Sequence, residues 1–380
     1  MQILALVTDA FGGFVGIAQY NRDLVTALTR CGDDNRVVIL PRQGKAIESQ
    51  MAPGVRQLKP RRNKLPYALA AFRAAATEGP FNAVFSGHLH MAPLAAAIAR
   101  LLGVPLWLQL HGVEAWEPAG RSQRWAAQRA TLVTAVSRYT RRRFLRFAAV
   151  DPSRVRVLPN TVGGGFTPGP KPDHLIRRHN LQGKKVLLTV GRLAGDEGRK
   201  GHDEVIRALP AVMATWPDLA YLIVGTGDDR ARLTTLAGQL GVAGNVVFAG
   251  MVKPEELADY YRLADLFVMP SVQEGFGIVF LEAAACGLKL IGGNRDGCTD
   301  ALADGAIGIA IDPANSAELV RAINDGLAGR APDPAAVQKF CFENFTRHVC
   351  GLARTQLASS DAAGLCTPPE TQSQQFSTQY

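Results

Sequence analysis

LADLFVMPSVQEGFGIVFLEAAACG, residues 263–287, joins an apolar strand, a turn carrying Gly275 and Gly277, and a helix expected to begin near Ile278. Strand, glycine turn and helix in that order form the repeating unit of a parallel α/β sheet. The glycines let backbone approach a ligand closely, and the unsatisfied amides at the helix start attract a phosphate. Two carboxylates frame that position, Glu274 in the turn and Glu282 about one turn into the helix. Ionised carboxylates accept hydrogen bonds from hydroxyls, so the pair suits a sugar-nucleotide, with one group on the transferred sugar and the other on the ribose. Taken alone, the spacing fits a surface loop and an ordinary solvated helical glutamate equally well.

Outward from this stretch the same alternation recurs. KKVLLTVGR, LAYLIVGTG, NVVFAG, LKLIGG and IGIAI read as strands of the second half, and ILALVT, RVVIL, AVFSG, LWLQLHG, TLVTAVS and RVRVLPN as strands of the first. The run Gly163 to Gly165, followed by Pro168, Pro170 and Pro172, breaks the pattern as a linker. With 380 residues, the chain exceeds what one hydrophobic core organises. The expectation is α/β: two Rossmann-like, doubly wound parallel-sheet lobes, residues 1–166 and 167–335, facing a central ligand cleft. Residues 336–357 read as a C-terminal helix packing back across the lobes, and the Ser-, Thr-, Gln- and Pro-rich 361–380 as a flexible tail.

Composition narrows the class. Met91 to Leu110 is apolar enough to suggest a membrane span, but Arg100, Gly103 and Pro105 divide it into a helix of about a dozen residues and a strand. MQILALVTD at the start reads as a buried strand and not as an export signal, which points to a cytoplasmic protein. Cys31, Cys286, Cys298, Cys341, Cys350 and Cys366 show no Cys-x-x-Cys pair, so they are expected as reduced thiols, with neither a disulfide framework nor a metal site. The net charge of +9 is uneven: residues 1–166 hold 22 Lys and Arg against 9 Asp and Glu, and the remainder 20 against 24.

Further glycine and basic elements accompany the Glu274 turn. GRLAGDEGRKGHDEVI places Arg192 and Lys200 after a strand, framed by Gly191 and Gly201, where two fixed cations could meet a leaving diphosphate. DAFGGFVGIAQYNRDLV sets Gly12, Gly13 and Gly16 before an amphipathic helix in the first half. His111, in LQLHGVEAW, ends an apolar strand at the carboxyl edge of the sheet, where α/β ligands bind. His88 and His90 in SGHLH also end a strand; a structural role comes first for them and acceptor contact second. Asn160 in VLPNTV is explained by turn formation before cleft contact.

Over about residues 1–355 the sequence resembles the retaining glycosyltransferases of family 4, which have the GT-B fold. The resemblance rests on Glu274 and Glu282 with their seven-residue spacer in the GFGIVFLEA context, on Arg192 and Lys200, on the first-lobe glycines and on His111. Val15 stands where the family often has another glycine. The resemblance implies that Glu274 contacts the donor sugar, Glu282 the ribose, Arg192 and Lys200 the diphosphate, and that His111 faces the donor sugar from the first lobe. Gly13, Gly16, Gly275, Phe276, Gly277 and Ile278 are then the backbone that closes around the nucleotide.

The implied activity is retaining, metal-independent transfer of a hexose from a UDP- or GDP-linked donor to a hydroxyl of a glycan or lipid-linked acceptor, in bacterial-type surface polysaccharide or glycolipid synthesis, with no cofactor. Absence of any Asp-x-Asp agrees with metal independence. A two-lobed sugar-nucleotide epimerase uses the same donor cleft. A basic binding module is the non-enzymatic reading, resting on Arg61, Arg62, Lys64 and on Arg138, Arg142 and Arg146, which recur every four residues with Arg141 and Arg143 beside them. Nucleic acid is disfavoured because aromatic residues are not interleaved with the charges. An anionic inner-membrane surface suits the basic first lobe better, each basic residue near it contributing about 1 kcal/mol. A dehydrogenase is disfavoured because GTGDDR lacks the third glycine of its fingerprint, and no P-loop sequence occurs.

Overall fold

A computed structural model of the chain describes residues 1–13, 16–44, 51–195, 200–329 and 333–357. Val15 and the 361–380 tail lie outside the described residues. In the first lobe, β1 (Gln2–Val7), β2 (Arg36–Pro41), β3 (Val55–Gln57), β4 (Ala83–Ser86), β5 (Leu106–Leu110), β6 (Leu132–Ala135) and β7 (Val155–Val157) form one sheet in the order β3-β2-β1-β4-β5-β6-β7. Every pairing is parallel. The three-residue edge strand β3 is an addition to the sequence reading, too short to show a period of two.

The connecting helices are α1 (Gly16–Thr29), α2 (Lys64–Thr77), α3 (Ala92–Leu102), α4 (Arg121–Arg129) and α5 (Arg138–Leu145). The apolar stretch from Met91 thus divides into α3 and β5, separated by Gly103 in a left-handed conformation (φ 67°). Among the described residues, no helix is long and apolar enough to cross a membrane.

The second lobe repeats the plan after α6 (Asp173–Arg178). Its strands β8 (Lys185–Val190), β9 (Leu219–Val224), β10 (Val246–Gly250), β11 (Leu266–Met269), β12 (Lys289–Gly293) and β13 (Ile309–Ile311) lie in the order β10-β9-β8-β11-β12-β13, all parallel. Between them run α7 (His202–Met213), α8 (Arg230–Gln239), α9 (Pro254–Leu263), α10 (Ile278–Ala285), α11 (Cys298–Ala301) and α12 (Ser316–Ala328). Strands covered on both faces need continuous apolar runs, and β1, β5 and β9 supply them, with β9 fully buried along its length. Strand order reverses between β1 and β4 and again between β8 and β11. Ligands of open α/β sheets bind beyond the carboxyl ends of strands at such points.

After α13 (Pro334–Gln338), α14 (Phe342–Leu357) packs on α1 of the first lobe, its Phe345 edge-on to Tyr20 at 5.9 Å between ring centres. Beside it the outgoing and returning chain segments are joined, with Val162 donating from its amide and Thr161 from Oγ1 to the Phe340 carbonyl at 3.1 and 2.8 Å. This packing overturns the expectation that all cysteines are reduced. Cys31, just beyond α1, and Cys350, on α14, form a disulfide across 319 residues of sequence. Sequence spacing carries no information about a pair brought together by two helices at opposite ends of the chain. Cys286, Cys298 and Cys341 are free thiols.

Candidate functional site

The Glu274 turn leaves β11 through Pro270 and is pinned from below by a buried carboxylate that the motif reading passed over. Asp296 accepts from the Glu274 amide (2.7 Å), the Ser271 hydroxyl (2.8 Å) and the Cys298 amide (2.9 Å). Burial raises the Asp296 pKa, and these donors oppose the rise. The Gly297 amide adds a bond to the Glu274 carbonyl (2.8 Å). The turn is therefore fixed before any ligand arrives.

Above it, the Lys200 ammonium lies 2.7 Å from each oxygen of the Glu274 carboxylate. Gly277 adopts φ +87° at the start of α10, and a Cβ there would lie 2.7 Å from the Phe280 ring. Glycine thus lets α10 begin against that ring. Arg192 is exposed and lines, with Lys200, Gly201, Asp203, Arg207 and Arg232, a cavity of about 430 Å³. A larger hollow of about 560 Å³ opens at the opposite edge of the first sheet, between Gln2, Arg36, Val55 and Glu78, where none of the motif residues stands.

Glu282 is half-buried on α10 and accepts from the Tyr261 hydroxyl at 2.6 Å. Burial pushes its pKa up to about 7, against the lowering effect of that hydrogen bond. Asp23 on α1 is likewise pushed up to about 7, chiefly by burial, with the Glu282 charge adding to the rise. The two carboxylates thus sense each other across the cleft.

The first lobe contributes mainly backbone. The segment 9–13 is held by α1, with Asn21 bonding the Asp9 carbonyl (2.8 Å) and Arg22 bonding the carbonyls of Ala10 (2.6 Å) and Gly13. A Cβ on Gly13 would lie 2.1 Å from the Asp9 carboxylate, so a larger residue would have to displace that side chain. Gly16 opens α1 directly opposite α10, its Cβ position 3.8 Å from the Ile278 side chain. Two helix N-termini therefore face the same cleft.

His111 follows β5, with its amide bonded to the Glu114 carboxylate (2.6 Å) and its Nε2 3.0 Å from the Gly87 carbonyl. A carbonyl only accepts, so Nε2 carries the proton. Burial lowers the His111 pKa, which keeps the ring neutral and leaves Nδ1 as an acceptor. His88 and His90 stack at 4.9 Å, with His88 6.3 Å from His111.

The lobes touch where these elements meet. A Cβ on Gly275 would lie 1.9 Å from the His111 carbonyl oxygen, and one on Gly112 (φ +153°) 2.7 Å from the Gly275 Cα. His111, Gly275, Glu274 and Lys200 are thus consecutive neighbours across the cleft. Phe276 differs from its neighbours in sequence, since its ring is turned into the core, 3% exposed and against Phe340.

The arginine series of α5 is divided: Arg142 and Arg146 are exposed, while Arg138 and the flanking Arg141 and Arg143 are engaged within the protein. Arg138 bonds Asp300 and Asp304 of the second lobe, Arg141 the Val155 and Pro152 carbonyls, and Arg143 Trp116 and Glu117. Sequence reasoning missed Asp296, Tyr261, Asp23 and Asp300, each of which meets a group far along the chain: Glu274, Glu282, Glu282 and Arg138 respectively. Among the described residues, no group of three or more His, Cys, Asp or Glu side chains is placed to hold a metal ion.

Residues 173–339 match the family described as glycosyl transferases group 1, and residues 15–161 the glycosyl transferase 4-like domain. A GDP-mannose-dependent alpha-(1-6)-phosphatidylinositol monomannoside mannosyltransferase of Mycobacterium tuberculosis is 35% identical over 63% of this chain and 68% of its own. The enzyme of the same description from Mycolicibacterium smegmatis is 36% identical over 52% of this chain, a match spanning about half, 53%, of that relative's length. Among solved structures, Anabaena HepE in complex with UDP and glucose superposes with a TM-score of 0.74 at 20% identity, over 93% of this chain and 99% of its own, which shows the shared fold. The chain therefore belongs to the group 1 glycosyltransferases of the GT-B fold, and it is a nucleotide-sugar glycosyltransferase and not an epimerase.

Proposed function

We propose that this enzyme moves a hexose from a UDP- or GDP-linked donor to a hydroxyl of a glycan or lipid-linked acceptor, with retention at the anomeric carbon and without a metal ion. The observation that carries the reading is the Lys200 to Glu274 pair at the head of α10, pressed against the His111 backbone of the opposite lobe. In this reading Lys200 turns from Glu274 to the donor diphosphate, joined by Arg192 and the amides of Gly275 to Ile278. These fixed groups meet the negative charge that grows on the departing nucleotide. Glu274, released from Lys200, orients the sugar hydroxyls. Glu282 holds the ribose, and the Nδ1 lone pair of His111 accepts from a hydroxyl on the reacting face. Gly13 and Gly16 leave room for the donor beside the N-terminus of α1.

GDP-mannose is the first donor to test, since two relatives are named for it. Incubating the chain with GDP-mannose or UDP-glucose and a bacterial glycolipid fraction should give products heavier by one hexose, in the donor's anomeric configuration and undiminished by EDTA. No hexose transfer from either donor class would remove the reading; inverted products or loss with EDTA would remove retention or metal independence.

The acceptor is proposed to be presented at an anionic membrane surface on the cytoplasmic side. Leu65, Leu69 and Phe72 form an exposed apolar stripe on α2 (70, 63 and 41% exposed), and exposed Arg61, Arg62 and Lys64 stand at its head. An amphipathic helix with basic flanks lies in the interface plane of such a surface. Vesicles containing anionic lipid should sediment the chain at low salt, and Leu65→Ser with Leu69→Ser should abolish this; a wild-type chain left in the supernatant would discard the surface.

A further inference from the structure

Arg138 lies at the first position of α5, set there by Ser137, whose hydroxyl accepts from the Thr140 amide at 3.1 Å. From that point it reaches into the other lobe. Its Nε lies 2.8 Å and its own backbone amide 3.2 Å from one oxygen of Asp300, while its second guanidinium nitrogen bonds Asp304. The Asp300 side chain is only 9% exposed, so a cation and a helix-start amide from the first lobe satisfy a carboxylate of the second that has left water.

Asp300 sits on α11, which starts immediately after the residues that fix the Glu274 turn. Asp296 holds the Glu274 amide and the Cys298 amide on its two oxygens, and Gly297 bonds the Glu274 carbonyl. A Cβ on Gly297 would lie 2.0 Å from the Gly275 carbonyl oxygen, so α11 and the turn are in direct backbone contact. Pulling on Asp300 therefore pulls on Glu274, with no flexible linker between them.

We propose that Arg138 is a positioning residue for sugar transfer. It clasps Asp300 across the cleft and thereby holds the Glu274 turn against His111. The inference rests on the transfer reading above. Without Arg138, Asp300 keeps its charge in a site shielded from water, a costly state that opening of the lobes relieves. Opening withdraws Glu274 from His111 while leaving the Arg192 and Lys200 side of the cleft intact. Loss of reach by about 1 Å at a reacting centre costs about 100-fold in rate.

The test compares Arg138→Met and Arg138→Lys with wild type by three readouts: kcat for hexose transfer, calorimetric affinity for the nucleoside diphosphate, and the radius of gyration by small-angle scattering. The expected result for Arg138→Met is a kcat lower by about 10- to 100-fold, an affinity within twofold of wild type, and a larger radius of gyration. Arg138→Lys, which keeps one charged bond, should recover part of the rate. Should Arg138→Met fail to fold, the isosteric Asp300→Asn reads the same quantities. Wild-type kcat in a folded variant, or nucleotide affinity falling in step with kcat, overturns the clasp. If wild type itself transfers no hexose, the functional reading fails, and the radius of gyration alone then supports or overturns the clasp.

Discussion

The two walls of the cleft are built on different principles. The second-lobe wall is local: Glu274, Gly275, Gly277 and Glu282 fall within one turn and one helix, and Lys200 joins them from just before α7. The first-lobe wall is assembled from segments far apart in sequence: residues 9–13 after β1, Gly87 and His88 after β4, His111 and Gly112 after β5, and Arg138 after β6. One wall carries charge and the other carries backbone, a neutral imidazole and a clasp. The difference fits a division of labour in which the charged wall binds the nucleotide and the other closes over the sugar.

The strongest way to break this comparison is Lys200→Ala. Losing a preorganised cation from the leaving-group side should lower transfer by about 100- to 1,000-fold, with the circular dichroism spectrum unchanged; wild-type turnover would mean that the charged wall is not the donor wall. Gly275→Val attacks the contact between the walls, because its Cβ would overlap the His111 carbonyl at 1.9 Å. Transfer should drop by about 100-fold, with nucleotide affinity, which the Gly275 amide shares with Arg192, Lys200 and the start of α10, falling less than transfer.

A pH series sharpens the charged wall. Burial raises the Glu282 pKa to about 7, above the ordinary carboxylate range, so it is protonated below that pH and loses acceptor capacity for a ribose. Nucleotide affinity should be near its full value at pH 8 and fall about tenfold by pH 6. Stability should move the other way. Glu282 and Asp23 both bind protons more tightly folded than unfolded, so acidification from pH 8 to pH 6 favours the folded state and raises Tm. The smallest effect on transfer is expected from Cys31→Ser. Losing the tie between α1 and α14 costs about 2 to 5 kcal/mol, visible as a lower Tm, with kcat changed by less than about twofold because Cys31 lies beyond the end of α1 opposite to Gly16.

The same contrast explains what could be read from sequence. Strand and glycine alternation exposed both sheets, and the glutamate pair with its glycines exposed the charged wall, because each signal is contained in a short window. Asp296, Tyr261 and Asp300 were invisible because each owes its role to one partner 20 or more residues away, and Arg138 was misread as a surface charge because its partners lie 162 and 166 residues on. The Cys31–Cys350 bond is the extreme case. Phe276 shows the opposite failure: it stands inside the motif, yet its ring belongs to the core.

The central claim is that the wall containing Glu274 and Glu282 is a nucleoside diphosphate site. Calorimetric titration of wild type and Glu282→Ala with GDP and with UDP at pH 8 tests it directly. The account predicts saturable binding of at least one nucleotide by wild type and a loss of about tenfold or more in the variant. Equal affinity in both proteins, or no binding of either nucleotide to wild type at saturating concentration, would contradict it.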